Sequence, residues 1–163
     1  MPAAVTMLAA MPNAPYRHQH RVTYAECTVG NHIYHSRYLD LLEAARGEFL
    51  RHLGPTVHQL QMADRIFPVI ECRVRYKAPA RYDDLLEIEV WPTAMEKIRL
   101  NFAHRVTRPA TGTVILEAET FHVCTNTVEK PKRIHEELAT LLRPWLGQQV
   151  VVAQASCLVE QSG

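Results

Sequence analysis

The sequence predicts one α+β domain: a single antiparallel sheet of about five strands wrapped around one long central helix, with a short helix at the C-terminal end. Three observations carry this. Tyr38, Leu42, Ala45, Phe49 and Leu53 recur at helical spacing. Farther on, Ile70, Cys72, Val74 and Tyr76 alternate with Glu71, Arg73, Arg75 and Lys77, the period of a strand with one wet face. The order, one strand, a long helix, then four strands joined by short turns, is that of an antiparallel meander packed on one helix.

Taken along the chain, structure is expected to begin near Tyr16, after a loose leader at 1–15. That leader is mildly apolar, lacks a basic start and is interrupted by Pro2, Pro12 and Pro15, so it does not read as a signal peptide. A strand is expected at 17–27, with Val22 and Tyr24 on one face. Gly30-Asn31-His32 then turns the chain, and the helix starts at about Ser36. Leu39, Leu41, Ala44 and Leu50 broaden its apolar stripe until little of it faces solvent, and Gly54-Pro55 ends it.

A connecting segment at 56–65, helical around 58–62, leads to the strand at 69–77. Pro79 and Asp83-Asp84 turn the chain into a strand through Leu86, Ile88 and Val90 that ends near Trp91-Pro92. A reversal at 94–97 leads into a strand at 98–106. Pro109 and Gly112 bracket a hairpin turn into a last strand at 113–125, where Val114 and Leu116 fall on the opposite face from Phe121 and Val123, so a bulge or two-sided burial is expected. Ile134, Leu138, Leu141 and Leu142 predict a helix within 131–146, and the tail from Gly147 is unassigned. A sheet of this size leaves the outer side of the helix and a sheet edge uncovered, which favours a homodimer joined edge to edge or a homotetramer built from it.

Composition excludes several function classes. A length of 163 residues suits one domain with a real core. A net charge of +1 without a compact Lys/Arg run argues against a nucleic-acid binder. No run approaches the roughly 18 apolar residues of a membrane span. Cys27, Cys72, Cys124 and Cys157 have no metal-site or disulfide-framework spacing, so free thiols in a reducing cytoplasm are expected, with no metal.

Tyr24-(x)3-Thr28-(x)6-His35, the helix start Tyr38-Leu39-(x)3-Glu43-Ala44-Ala45-Arg46, the turn Tyr76-Lys77-Ala78-Pro79-Ala80-Arg81-Tyr82-Asp83-Asp84 and the lead Lys130-Pro131-Lys132-Arg133-Ile134 follow one another in this order. Together they resemble the hotdog-fold acyl-CoA thioesterases of the 4-hydroxybenzoyl-CoA thioesterase type, over roughly 17–146. The resemblance implies hydrolysis of a thioester of coenzyme A or of acyl carrier protein without metal or cofactor, coenzyme A entering as part of the substrate. It also implies sites at a dimer interface, with the acyl tail beside the central helix and the thioester near that helix's N-terminus.

In one position the chain departs from that pattern. Where the family usually carries an aspartate as nucleophile or base, Thr28 stands here, and a hydroxyl can orient a water but lacks a carboxylate's basicity. Tyr24 and His35 align with accessory residues of the family, His32 with a histidine of plant-type acyl-ACP thioesterases, and Gly30-Asn31 with polyketide-type members that also lack the acid. For those, the resemblance suggests oriented water and a polarised carbonyl. Backbone N–H groups from Asn31 to His35, near a helix N-terminus, would favour the developing oxyanion, with His35 or His32 as base.

Glu43, Glu26 and Asp40 are the carboxylates nearest this region, and Glu43 has Arg46 as an alternative, structural partner. Cys27 has no base partner fixed by spacing. Lys97 and Arg99 would suit the phosphates of coenzyme A, or be a solvated strand face, with Lys130, Lys132 and Arg133 in a lesser role. The two functions that follow are a thioesterase and a non-catalytic acyl-thioester-binding protein of the same fold. A dehydratase would need a His and an acid arranged across the interface, a signature the sequence does not carry.

Overall fold

A computed structural model describes residues 14–147. The expected leader lies outside the described residues except for its last two positions, and the tail except for Gly147. The elements are β1 (Tyr16–Arg21), α1 (Arg37–Leu53), α2 (Val57–Met62), β2 (Val69–Tyr76), β3 (Leu85–Met95), β4 (Arg99–Arg108), β5 (Thr113–Val123) and α3 (Glu136–Leu142). All five strands are antiparallel to their neighbours in one sheet of order β1-β3-β4-β5-β2. The α+β arrangement is the one the sequence predicts.

The helix α1 lies across the inner face of the sheet and packs against β1 and β3. Tyr38, Leu41, Leu42 and Ala45 meet Leu86, Ile88, Val106 and Leu116 under its first half. Phe49 and Leu50 meet Val90, Leu100 and Phe102 under its second half, where Leu138 and Leu142 of α3 close the layer. Phe49 is wholly buried, with its ring edge-on to Phe102 and Trp145; removing a side chain of that size from water contributes roughly 1.5–3 kcal/mol.

Five local expectations are corrected. The first strand stops at Arg21, and Tyr24–Glu26 form a 3-10 turn, because the Glu26 carboxylate accepts the Thr23 N–H at 2.6 Å and pairs with His20 at 2.9 Å, a cap that rolls the chain out of the sheet. The helix has a solvent side, Leu39 and Ala44 being exposed in the single chain. β2 does not neighbour β3 as a meander would have it; it takes the far edge beside β5, and β3 returns to pair with β1. β3 runs through Pro92 to Met95, since the register shifts between Pro92 and Ala94 and the missing N–H falls at that irregularity. The C-terminal helix is only α3, continued by a 3-10 turn at Arg143–Trp145. The expected bulge in the last strand is present, with the register shifting opposite Val106/Thr107.

The two edges of the sheet differ. β1 carries Arg17 and Arg21, charges that keep an edge from pairing with another chain, with the polar His18 and His20 between them. β2 offers Val69, Ile70, Val74 and Tyr76, and Val69 and Ile70 remain 49% and 54% exposed on opposite faces.

Candidate active site

The turn between β1 and α1 is a miniature hairpin. Cys27 and Ile33 form a bridge, the Thr28 N–H donates to His32 O at 2.9 Å and the Asn31 N–H to Thr28 O at 3.0 Å, with Asn31 in the left-handed region at φ 51°. The Thr28 hydroxyl accepts the Gly30 N–H at 3.3 Å. Gly30 is needed for close approach: a Cβ there would lie 3.0 Å from the His32 ring and 3.7 Å from Thr28 Oγ1. The turn thus holds an imidazole and a hydroxyl around one small residue.

This turn meets the end of β2 at a hollow of about 470 Å³. Thr28, His32, His35, Tyr38, Tyr76 and Lys77 are among its walls. The Tyr76 hydroxyl donates to His35 O at 2.9 Å, tying the entry to α1 to the edge strand. The buried Tyr38 hydroxyl accepts the Ala80 N–H at 3.2 Å; burial pushes that phenol above its ordinary pKa.

Of the backbone donors expected to face an oxyanion, three are used. Asn31 donates to Thr28 O, Ile33 to Ala80 O and Tyr34 to Glu26 O. Among the described residues the N–H groups of His32 and His35 have no such acceptor, and they flank the hollow. A hydroxyl, two imidazoles and two open N–H donors at the mouth of a 17-residue helix can orient a water, take its proton and hold a developing negative charge.

Of the residues singled out from sequence, Thr28, His32 and His35 are brought together here; the others are not. Tyr24 is 83% exposed, its ring edge-on to Tyr82 at 5.9 Å. Asn31 turns its amide oxygen to the Tyr82 N–H at 3.4 Å. Glu43 is exposed on α1 beside a different hollow, with Asp40 and Glu48. Asp40 itself is exposed and pairs with Arg37 at 3.3 Å. Glu26 is engaged as the cap of the 3-10 turn; burial pushes its carboxyl up, but the Thr23 N–H and His20 more than offset that and hold it below the usual carboxylate range.

Lys97 and Arg99 line a separate surface hollow with Arg133, while Lys132 pairs with Asp64 at 3.0 Å. That basic hollow is at the other end of the strands. Arg99 is opposite Val123, whereas Tyr76 is opposite Leu116, seven positions along β5, roughly 23 Å away. Sequence reasoning passed over Tyr38, Tyr76 and Lys77 as site walls; Tyr76 ends an alternating strand, and only its pairing places it beside the helix.

Cys27, Cys72 and Cys124 are free thiols, and among the described residues no three His, Cys, Asp or Glu side chains cluster as metal ligands. No helix among them is long and apolar enough to cross a membrane.

A family model described as the thioesterase-like superfamily matches residues 22–146. The acyl-CoA thioester hydrolase YbgC of Escherichia coli O157:H7 is 38% identical over 120 residues, covering 72% of this chain and 88% of that one. The 1,4-dihydroxy-2-naphthoyl-CoA hydrolase of Synechococcus elongatus is 24% identical over 136 residues, 82% of this chain and 96% of the relative. Among solved structures, the hypothetical protein TT1821 of Thermus thermophilus superposes with a TM-score of 0.75 at 31% identity, covering 79% of this chain and 98% of its own.

Proposed function

The chain belongs to the thioesterase-like superfamily and is a thioester hydrolase, and on that footing we propose that it cleaves an acyl thioester of coenzyme A with water in the hollow at the N-terminus of α1. The observation that carries this reading is the convergence of Thr28, His32 and His35 on one cavity wall. The names of the relatives, hydrolases of acyl-CoA and of a naphthoyl-CoA, support coenzyme A as the thiol.

The step runs without a carboxylate. The Thr28 hydroxyl orients a water, and an imidazole, His32 or His35, takes its proton as the water oxygen attacks the carbonyl carbon. The carbonyl oxygen gathers negative charge against the open N–H groups of His32 and His35 and the positive end of α1. Such donors typically lower a barrier by about 3–4 kcal/mol each. When the tetrahedral centre collapses, the C–S bond breaks, the thiolate takes the proton back from the imidazolium, and the free acid leaves. No metal or cofactor enters this scheme.

The unprotected edge of β2 suits a second copy of the chain, as a homodimer, with a homotetramer as a further stage. Antiparallel pairing of two β2 strands sets the Lys97, Arg99 and Arg133 end of one protomer beside the Tyr76 end of the other. The cations that lie roughly 23 Å from the hollow in one chain then flank it from the partner, where the phosphates of coenzyme A need them.

Thiol release from short, medium, long and aromatic acyl-CoAs tests the reading, with wild type compared to His32→Ala, His35→Ala and Thr28→Asp. Turnover is expected in the wild type, falling by roughly 10²–10⁴-fold when the acting imidazole is removed while circular dichroism is unchanged. A wild type that binds thioesters but is inert, with Thr28→Asp gaining activity, would overturn it and leave an acyl-thioester-binding protein.

A further inference from the structure

The hollow at the start of α1 stops at one side chain. Among the described residues β2 gives it Tyr76 alone, and the turn that follows gives Lys77, Ala78 and Pro79. The residues that precede Tyr76 on the same face of β2 are Val74, Cys72 and, by alternation, Ile70, and none of them is a wall of the hollow. They form an apolar strip of their own, Val74 half-buried against the core, Cys72 and Ile70 exposed. Hollow and strip therefore lie in line along one strand, with the Tyr76 ring between them.

That ring is fixed from two directions. Its hydroxyl donates to His35 O at 2.9 Å, and its centroid stands 5.6 Å from that of Tyr38, the planes tilted by 58°. Tyr38 is itself held: it is 4% exposed, and its oxygen accepts the Ala80 N–H while Ala80 O takes the Ile33 N–H at 2.9 Å, so its ring lies ahead of its own turn of the helix. Leu42 and Ala45 close the core behind it. An acyl chain whose carbonyl is held at the His32 and His35 N–H groups soon meets this pair of rings. From His35 to Tyr38 is three residues, ~4.5 Å at helical rise. A hydrocarbon chain advances roughly 1.2 Å per bond, so there is length for about four carbons.

We propose that Tyr76, backed by Tyr38, is the specificity-determining residue of the site, a stop that limits the acyl group to a straight chain of about four carbons. The inference rests on the hydrolytic reading above. A longer chain has to displace a ring that is bonded at its tip and packed on its face, and it finds closed core beside it. Taking the Tyr76 ring away joins the hollow to the strip. Each further methylene then lies on Val74, Cys72 and Ile70 instead of in water.

The test measures kcat/KM for acetyl-, butanoyl-, hexanoyl-, octanoyl- and decanoyl-CoA in the wild type, Tyr76→Ala and Tyr76→Phe. The wild type is expected to peak at or below butanoyl-CoA and to fall by roughly 10-fold or more at octanoyl-CoA, the usual penalty of forcing extra methylenes into a packed site. Tyr76→Ala is expected to move the peak to octanoyl-CoA or beyond, each methylene past butanoyl gaining roughly 3–4-fold, the worth of burying one CH2 group. Tyr76→Phe keeps the ring and is expected to keep the wild-type cut-off. Only ratios between chain lengths within one variant are read, so a general loss from the missing bond to His35 does not enter. A wild type that prefers octanoyl- or decanoyl-CoA overturns the proposal. So does a Tyr76→Ala profile parallel to that of the wild type, or a Tyr76→Phe profile as relaxed as that of Tyr76→Ala; each of these leaves hydrolysis standing. If the wild type releases thiol from none of the five, the hydrolytic reading has failed instead, and calorimetric Kd values for the same thioesters and variants decide the stop by the same profile.

Discussion

At the scale of single residues, the site depends on an absent atom. The His32 ring occupies the place a side chain at position 30 would need, 3.0 Å from where a Cβ would stand. Gly30→Ala therefore displaces the imidazole by a few tenths of an ångström while touching nothing in the core. Stability is expected to stay within about 0.5 kcal/mol of wild type, as for exposed substitutions generally, while kcat falls roughly 10-fold or more, because small misplacements of a reacting group are costly. Unchanged turnover on acyl-CoA would remove His32 from the chemistry and leave His35 as the base. Thr28 is bound to its turn more loosely. Its hydroxyl only accepts the Gly30 N–H, which an aspartate would accept as well, so the Thr28→Asp variant keeps the turn it is meant to test.

At the scale of elements, α1 and β2 make the site between them, and β2 is the weaker partner. Both its faces remain accessible in one chain, so a charge placed there disturbs little until a second chain arrives. Ile70→Glu is expected to leave the monomer folded, to shift the species in light scattering from dimer to monomer, and to lower activity along with the dimer. A variant that stays dimeric would place the interface elsewhere. The sequence made these elements legible in unequal measure. The alternation from Ile70 to Tyr76 announced a strand, and Gly54-Pro55 announced the end of α1, since both signals are local. That β2 would pair with β5 and not with β3 was not legible, because strand neighbours are chosen by contacts far apart in the chain. Pro92 read as a strand end because the bulge that accommodates it involves a partner on β4. Thr28, His32 and His35 stood out because the family resemblance aligned them, and they came together because they lie within eight residues around one turn.

The whole molecule inherits a pH dependence from its interior. Burial first, and the Arg46 charge second, lower the pKa of His104 to about 3 and that of His122 to about 4. Both are therefore neutral in the fold, whereas in the unfolded chain they titrate near 6.5. Their contribution is fully present above pH 6.5 and is lost as the pH falls toward 4, because there the unfolded chain binds protons that the native chain refuses. The slope is up to about 1.4 kcal/mol per pH unit for each histidine. Below about pH 4 the carboxyls of Asp84 and Asp64 add to the loss in the same direction: Asp84 is pushed up by burial but held down more strongly by Arg81 and Arg108, and Asp64 is held at about 2 by Thr127 and Lys132. Urea titrations at pH 7, 5.5 and 4.5 should show this decline, and His104→Phe should flatten its upper part. His122 keeps its own share in that variant, so a slope that is not reduced there would place the titrating groups elsewhere.

The order of the strands also sets the order in which the molecule assembles. β3, β4 and β5 are joined by short turns and can zip up as soon as they are made, whereas β1 must find β3 across the whole of α1, α2 and β2. Closing so long a loop is slow, and it waits for the central hairpins that reward it. The turn carrying Thr28, His32 and His35 lies inside that late loop, and so does β2, the edge proposed to receive a second chain. A nascent chain therefore commits to its shape from its C-terminal half, and becomes competent to act only in its final steps of ordering.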